Sequence, residues 1–404
     1  MRNRIGYQNV ALMTGPSPAY QAHSGIALGP NNGLLEGEIS SKLKVLNTVQ
    51  TASFDMAMNR ADVKQISSKD NLLVARQPIT QPSVSLSFSY NLTDGRNEQA
   101  LGFHASGDTS FLSGVTGNDD RNFFLFIREK AEQDFNLISG YENLGLLSFG
   151  NCYANNYSLN ASVGEIPNVS LTYSASNVRF DQVTSGLSGY YRPPSASDRD
   201  IVASGVIPAV DRENGVVASD MTNYGYIVKR GQVLDGGVFN SGNIHFLKPG
   251  SMALFLSNPN IGGVNLSGST KMHVQDVSIN IPINRTDLMG FGSKYVYDRK
   301  AEYPSLAQLN ISAIATDIKQ GATDNIFSKD DVYQMEIIFN TTNSSAVKTP
   351  AVATKIQNAK IQSESISQSI GGNMTFDASF TFECTPTTGF LFSGVGYDYN
   401  LLFL

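Results

Sequence analysis

The chain has 404 residues, of which 41% are hydrophobic and 16% charged, and its formal net charge is -6. A chain of this length is expected to form two domains, and the composition argues against a disordered protein. The acidic balance argues against a protein that grips nucleic acid through clustered lysine and arginine side chains. Its 36 glycines and many short apolar segments predict a mainly β fold with many turns.

The first residues, MRNRIGYQNVALMTGPSP, contain an apolar segment too short for the core of a signal peptide. No segment is long enough to span a membrane, so we expect assembly in the cytoplasm of the producing cell and no membrane insertion. Cys152 and Cys384 are too few for a disulfide framework and are expected to be buried free thiols.

An internal repeat begins near residue 49. Residues 49–69 (VQTASFDMAMNRADVKQISSK) align without gaps on residues 274–294 (VQDVSINIPINRTDLMGFGSK), with eight identities where composition alone would give roughly one. Two weaker matches, one before and one after this block, keep the same order along the chain. The repeat predicts a first module over residues 1–183 and a second over 241–404, separated by a linker or inserted arm at 184–240.

Both copies contain the period-2 alternation of long amphipathic strands. The apolar members of these segments are Phe54, Met56, Met58, Val84, Leu86, Phe88, Tyr90, Leu92, Val277, Ile279, Ile281, Ile283, Met374, Phe376, Ala378, Phe380 and Phe382. Each segment is predicted to be a strand with one buried and one wet face, paired antiparallel. Helix is expected only in short pieces, around residues 109–117 and 306–319.

No constellation of residues typical of catalysis was found. The four histidines lie apart from one another and lack partners at metal-ligand spacing, and no phosphate-binding glycine loop or nucleophile elbow occurs. The acidic pairs Asp119-Asp120 and Asp330-Asp331 stand in turn-like contexts, where aspartate is favoured by its bonds to the main chain. We therefore expect no enzyme activity, no cofactor and no metal.

The most informative polar feature is Asn59-Arg60-x-Asp62, which recurs as Asn284-Arg285-x-Asp287. One interpretation is structural: a turn with an Arg-Asp ion pair ends each strand and contributes about 1 kcal/mol at most. The other is functional, because a planar guanidinium is well suited to bind a carboxylate on a neighbouring subunit. Arg60, Asp62, Arg285 and Asp287 are thus candidate inter-subunit contacts.

The segment NRADVKQISSKDNLLVARQPITQPSVSLSFSY resembles part of the major tail tube proteins of tailed bacteriophages, and the tandem repeat is similar to their duplicated type. That resemblance implies two β-sandwich or barrel modules whose hairpins pair edge to edge around a lumen. It also implies a homotrimer with pseudo-sixfold symmetry, stacked into a tube through which DNA passes. Tape-measure, tail-terminator and baseplate or tip proteins would be its partners in the virion.

A second hypothesis is a surface adhesin or receptor-binding protein built from two β-sandwich domains. An adhesin should fold as independent domains with aromatic-rich loops, whereas a tube protein should associate with itself. The absence of tryptophan from the chain weakly disfavours a sugar-binding adhesin.

Overall fold

A computed structural model describes the chain in a series of segments. They are residues 10–16, 44–64, 73–78, 83–115, 121–128, 144–175, 177–183, 201–203, 226–228, 247, 252–256, 260–261, 264–265, 272–288, 298–315, 332–342, 348–367 and 373–394. The described residues are mainly β, which confirms the predicted fold class.

Eleven strands lie in the first half of the chain. They are β1 (Val10–Pro16), β2 (Lys44–Val45), β3 (Val49–Ala57), β4 (Arg60–Lys64), β5 (Leu73–Pro78), β6 (Ser83–Asn91), β7 (Ser106–Ser110), β8 (Arg121–Arg128), β9 (Leu144–Ser162), β10 (Asn168–Ala175) and β11 (Asn177–Val183). Helical residues in the described segments form α1 (Arg96–Ala100) and a 3₁₀ helix, Phe111–Val115.

The second half continues with short and long strands. They are β12 (Ile201–Ala203), β13 (Tyr226–Val228), β14 (Met252–Leu256), β15 (Asn260–Ile261), β16 (Val264–Asn265), β17 (Met272–Pro282), β18 (Arg285–Leu288), β19 (Asp298–Ala301), β20 (Ser305–Ala315), β21 (Tyr333–Thr342), β22 (Lys348–Ser367), β23 (Thr375–Cys384) and β24 (Phe390–Ser393). Strands β12 and β13 form a separate antiparallel pair within the predicted linker, whose other residues lie outside the described segments.

Sixteen strands belong to one continuous antiparallel network. Its central part has the order β3-β6-β10-β9-β17-β20-β23-β22. The two longest strands also serve flanking layers, because the first part of β9 pairs with β8 and β11, and the first part of β22 with β21 and β24. In this way each long strand joins the central sheet to the layer that covers it.

The repeat is visible in the strand order. The first copy contributes β3-β6-β10-β9 and the second contributes β17-β20-β23-β22, so equivalent strands occupy equivalent places. The two sets meet where β9 pairs with β17. The exact module boundaries, 1–183 and 241–404, stay a prediction.

The core lies on one side of the central sheet. In β6, Leu86, Phe88 and Tyr90 are buried while the intervening serines are half-buried, as period-2 alternation requires. Phe111 of the 3₁₀ helix packs against Tyr157 of β9, with ring centroids 4.8 Å apart. The flanking strands, α1 and the 3₁₀ helix cover this side, so the opposite, polar face of the sheet is the one left open.

Two helix predictions had different outcomes. In the first region, 109–117, residues Phe111–Val115 form the 3₁₀ helix. The second prediction, 306–319, is wrong over its described part, since β20 occupies Ser305–Ala315. Its alternate residues are buried against β23, and this two-residue period is incompatible with a helix.

Other predictions concern single residue types. Cys152 and Cys384 are buried free thiols, as expected. The pairs Asp119-Asp120 and Asp330-Asp331 lie outside the described residues. Within the segments that the structure describes, no helix is long and apolar enough to cross a membrane, and no three His, Cys, Asp or Glu side chains cluster as metal ligands would.

Candidate assembly interface

The junction between the two copies of the repeat is an ordinary antiparallel strand pair. Ile279 and Ile281 of β17 lie opposite Leu159 and Tyr157 of β9, and all four side chains are buried. Just beyond β17, the Ile283 amide donates a 2.7 Å hydrogen bond to the Asn155 carbonyl. Strand β17 of the second copy is thereby built into the sheet of the first.

Arg285 makes hydrogen bonds at the end of this junction. Its Nε donates to the Ala154 carbonyl at 3.1 Å, its Nη2 to the Val115 carbonyl at 2.9 Å, and its Nη1 to the Arg299 carbonyl at 3.0 Å. The guanidinium also lies 5.1 Å from the centre of the Tyr153 ring, a cation–π distance. The candidate residue Arg285 therefore binds the first copy within its own chain.

The aspartates of the repeated motif pair with arginines that sequence reasoning missed. In the β18–β19 hairpin, Asp287 lies opposite Arg299 and its Oδ1 is 2.9 Å from the Arg299 Nε. In the β4–β5 hairpin, Asp62 lies opposite Arg76 at 3.0 Å. Both hairpins thus have the same ion pair. The sequence repeat could have predicted this ion pair, because Arg76 and Arg299 follow the two Asn-Arg-x-Asp motifs at nearly equal spacing.

Arg60, the counterpart of Arg285, is exposed. Its Nε is 3.4 Å from the Met58 sulfur. The strand before it, β3, pairs with β6 on one side and forms an edge of the central sheet among the described residues. Arg285, Asp287 and Asp62 thus have partners within the chain, and Arg60 is the exposed candidate on the hairpin that follows the edge strand.

The edge strand β3 is a strand as predicted, but its apolar residues are not buried within the chain. Phe54 and Met56 occupy the core-facing side, opposite Leu86 and Val84, yet they are 41% and 53% exposed. Phe54 keeps an edge contact with the Phe149 ring, with centroids 5.6 Å apart. The repeat equivalents of these two residues, Ile279 and Ile281, are fully buried.

The opposite edge of the central sheet is the last part of β22. Residues 360–367 pair with β23, and the described strands place no neighbour on their other side. Ile366 on this edge is 49% exposed. The Oε2 atom of Glu364 is buried and has no hydrogen-bond partner, and burial raises the pKa of this carboxyl. Sequence reasoning singled out neither residue.

The open face of the central sheet is covered with short polar side chains. Register pairing puts rows of serine, threonine and asparagine side by side, as at Ser278, Asn310 and Ser379. Residues of β17, β20, β22 and β23 line a depression of about 280 Å³ on this face. Acidic side chains on it include Asp276 and Asp377, so the face combines hydrogen-bonding groups with a negative charge.

A serine, a histidine and an aspartate lie together near β7. The Nε2 atom of His104 is 2.5 Å from Asp108 Oδ1, and the Ser106 hydroxyl contacts both of these atoms. In a nucleophilic triad the serine and the carboxylate use different ring nitrogens. Here both use Nε2, and these hydrogen bonds lower the pKa of Asp108 to about 2. This arrangement is a local hydrogen-bond cluster of the strand.

No family model matches the chain, and no curated protein matches its sequence. Among solved structures, the SPP1 tail tube aligns with a TM-score of 0.28 and 11% identity, covering 48% of this chain and 94% of that one. The tube-terminating cap of the anti-feeding prophage gives 0.25 and 8%, covering 37% and 91%. A sheath–tube complex of an extracellular contractile injection system gives 0.24 and 11%, covering 31% and 88%. These scores are low, and the fold class stands on the strands themselves.

Proposed function

We propose that the chain is a structural protein that assembles with copies of itself into rings, and that these rings stack into a tail tube of a phage-like particle. A single observation carries the proposal: both edges of the central sheet expose the residues that, in the other copy of the repeat, are buried by strand pairing. The junction between β9 and β17 is then a template for a junction between β22 of one chain and β3 of the next.

The register of this second junction follows from the first. Tyr157 and Glu364 are equivalent, because they lie opposite Leu171 and Ala378, and these in turn lie opposite Phe88 and Ile311, which hold the same place against β3 and β17. Ile281 and Met56 are equivalent in the aligned block. Since Ile281 lies opposite Tyr157 and Ile279 opposite Leu159, Met56 of one chain should lie opposite Glu364 of another, and Phe54 opposite Ile366.

The energy of such a junction is favourable on general grounds. Covering the exposed parts of Met56, Ile366 and Phe54 would contribute about 1 kcal/mol each, at the usual value for apolar area. Pairing also satisfies the backbone groups of two edges that would otherwise promote aggregation. Stable rings need both contributions, because association has a substantial entropic cost.

Ring size follows from the count of strands. Three chains would close a barrel of about twenty-four strands, with six copies of the repeat in pseudo-sixfold arrangement. A barrel of this size encloses an open channel rather than a packed core. The covered side of the sheet must then face outward, and the open Ser/Thr/Asn face inward.

The chemistry of the inner face suits the passage of DNA. Carboxylates such as those of Asp276 and Asp377 repel phosphates, and the neutral hydroxyls and amides give no strong anchor. We infer a virion location, transient DNA passage, and contacts with tape-measure, terminator and baseplate or tip proteins. No observation in the structure favours the adhesin alternative.

Disulfide cross-linking tests both the strand register of the junction and the number of chains in a ring. Ala57 and Ser363 are equivalent to Pro282 and Asn156, which lie opposite each other at the internal junction. The double variant Ala57→Cys/Ser363→Cys should form disulfides between chains under oxidation, because opposed Cβ atoms are about 5 Å apart. Non-reducing gels should show dimers and trimers, and the ladder should end at three chains.

The control pairs Ala57→Cys with Ser365→Cys, two residues out of register on the same face. This variant should cross-link far less. A ladder that continues beyond three chains would contradict the trimeric ring, and equal cross-linking of both variants would contradict the register. Monomers alone, over a wide concentration range and without cross-links, would contradict self-assembly.

A further inference from the structure

Resting on the proposed ring, we propose that Glu364 on the β22 edge enters each ring junction in its protonated form, packed against Met56 of the next chain. Closing a ring of three chains would then bind up to three protons, one for each junction. The junction that joins the two copies of the repeat within one chain would bind none.

Strand register brings these two side chains together. At the internal junction Ile281 lies opposite Tyr157. Met56 has the place of Ile281 in the aligned block, and Glu364 has the place of Tyr157 on its strand. In a junction of β3 with β22 that keeps this register, the Cβ atoms of Met56 and Glu364 would lie about 5 Å apart. The carboxyl is therefore next to the methionine thioether.

The surroundings of Glu364 at this junction are apolar. It lies opposite Ala378 of β23, which is buried, and Ile366 follows it on the same face of β22. The next chain adds Phe54, which the same register places opposite Ile366. Pairing with β3 thus replaces water near the carboxyl by the side chains of Met56 and Phe54.

Among the described residues, the charged groups of the neighbouring strands lie away from this contact. Asp377 of β23 and Asp55 of the next chain's β3 belong to the open face of the sheet, as does Lys360 on β22 itself. In the flanking layer of this copy, Glu336 and Lys355 form an ion pair with each other at 3.8 Å.

Arg60 of the next chain would lie farther along the edge. Its counterpart Arg285 donates to the Ala154 carbonyl. Ala154 corresponds to Ile361, because each precedes the bulge of its strand, and Ile361 lies three residues before Glu364. Arg60 would therefore approach the Ile361 carbonyl and leave the Glu364 carboxyl to Met56.

Glu364 is unfavourably placed for a charge already in the free chain. Its Oε2 atom is buried and has no hydrogen-bond partner, and burial raises the pKa of the carboxyl. Met56 would remove more water and supply only a thioether sulfur, which is a weak hydrogen-bond acceptor. A protonated carboxyl can donate to that sulfur and an ionised one cannot, so the ring should hold the proton more tightly than the free chain does.

The internal junction has a group at this place that stays neutral. Burial raises the pKa of the Tyr157 hydroxyl well above its usual value, so the side chain that pairs with Ile281 is uncharged. The contact within one chain therefore has a tyrosine where the contact between chains has a carboxyl. Only the second contact should depend on pH.

The sign of the pH dependence follows from the two pKa values of Glu364. Because the pKa is higher in the ring than in the free chain, association is strongest below both values and weakens as the pH rises from one to the other. With one proton for each junction, the trimer association constant can fall by up to about a thousandfold per pH unit in this range.

Sedimentation velocity between about pH 5 and about pH 8 measures this dependence. The association constant of the wild-type trimer should be at least about tenfold lower at the upper end. Glu364→Gln keeps the size of the side chain without its charge, and this variant should associate equally well at both ends. Asp377→Asn is the matched control, because it removes an exposed carboxyl from the open face, and it should keep the wild-type pH dependence.

A second variant tests whether the two side chains face each other. Met56→Lys places an ammonium group opposite the Glu364 carboxylate, so association should strengthen, and no longer weaken, as the pH rises. Combining Met56→Lys with Glu364→Gln removes the partner of the lysine and should weaken association over the whole pH range. Other carboxyls of the chain are the same in both variants, so the difference between them isolates this contact.

The outcomes distinguish the protonated contact from the ring. If wild-type and Glu364→Gln chains form trimers with the same pH dependence, the contact is wrong and the ring stands. The same conclusion applies if Met56→Lys associates equally well with and without Glu364→Gln. If the wild type stays monomeric at every pH and the Ala57→Cys/Ser363→Cys variant gives no cross-links, the ring itself is wrong. Circular dichroism at each pH checks that every variant is folded.

Discussion

Strands β3 and β17 have matching sequences and the same place in their copies of the repeat, yet one forms an edge and the other lies inside the sheet. Met56 is half-exposed on the first and Ile281 is fully buried on the second. The difference lies in the neighbour: β17 has β9 beside it, and β3 has no second partner among the described strands. An amphipathic strand therefore specifies which face is apolar, but its burial depends on what pairs with its edge.

The largest expected effect comes from the same kind of substitution, an apolar residue to aspartate, made in each of these two strands. Ile281→Asp places an unpaired charge in a fully buried site and should lower the free energy of unfolding of the monomer by about 4 kcal/mol or more. Met56→Asp should change monomer stability by less than about 1 kcal/mol and abolish trimer formation. Urea unfolding and sedimentation velocity measure the two effects, and equal loss of monomer stability would contradict the assignment of β3 as a free edge.

The second comparison is between buried charges of the two halves. The first half buries the Glu98 carboxyl of α1 beneath the sheet, where its Oε1 accepts a 2.7 Å hydrogen bond from the Tyr90 hydroxyl. In the second half, the buried charged residue among those described is Arg299, on a hairpin. Burial raises the pKa of Glu98 to about 7, although the Tyr90 hydrogen bond opposes part of the rise.

A raised carboxyl pKa means that the folded state holds the proton more tightly than the unfolded state. The free energy of unfolding from this group is highest below the unfolded pKa near 4.5 and falls until the pH passes about 7. The loss should reach about 3 kcal/mol. Glu98→Gln keeps an acceptor for Tyr90 and should remove this loss. The free energy of unfolding of the variant should therefore increase relative to that of its parent as the pH rises.

The measurement is urea unfolding at several pH values between 4 and 8, with Met56→Asp as a monomeric background for both proteins. The difference between Glu98→Gln and its parent isolates this group from other carboxyls, such as Asp108 with its lowered pKa. A difference that stays constant over this range would show that folding does not raise the pKa of Glu98.

Much of the fold could be predicted from the sequence, because local patterns determine it. The alternation through Leu86 and Phe88 specifies β6 and its buried face, and the repeat specifies which strands correspond. The helix predicted at 306–319 was wrong over its described part, because β20 buries alternate residues there, which is the period of a strand. The order of strands, and the pairing of β9 with β17, depends on contacts distant in sequence that no local pattern determines.

Only part of the candidate interface could be predicted from the sequence. The Arg-x-Asp repeat drew attention to Arg60 and Arg285, and whether Arg60 or Asp62 meets a neighbouring subunit stays a prediction. Arg285 proved to bind carbonyls of its own chain. Glu364 and Ile366 have no sequence signal of their own. They became visible only when register showed that they occupy the places of Tyr157 and Leu159.

The smallest effect concerns the two repeated arginines themselves. Arg285→Ala removes three hydrogen bonds to main-chain carbonyls and the contact with Tyr153, and should lower the free energy of unfolding by about 2 kcal/mol. Arg60→Ala removes an exposed side chain and should cost the monomer less than about 0.5 kcal/mol. Thermal and urea unfolding of the two variants in the Met56→Asp background provide the comparison. Equal small effects would mean that Arg285 does not stabilise the internal junction between β9 and β17.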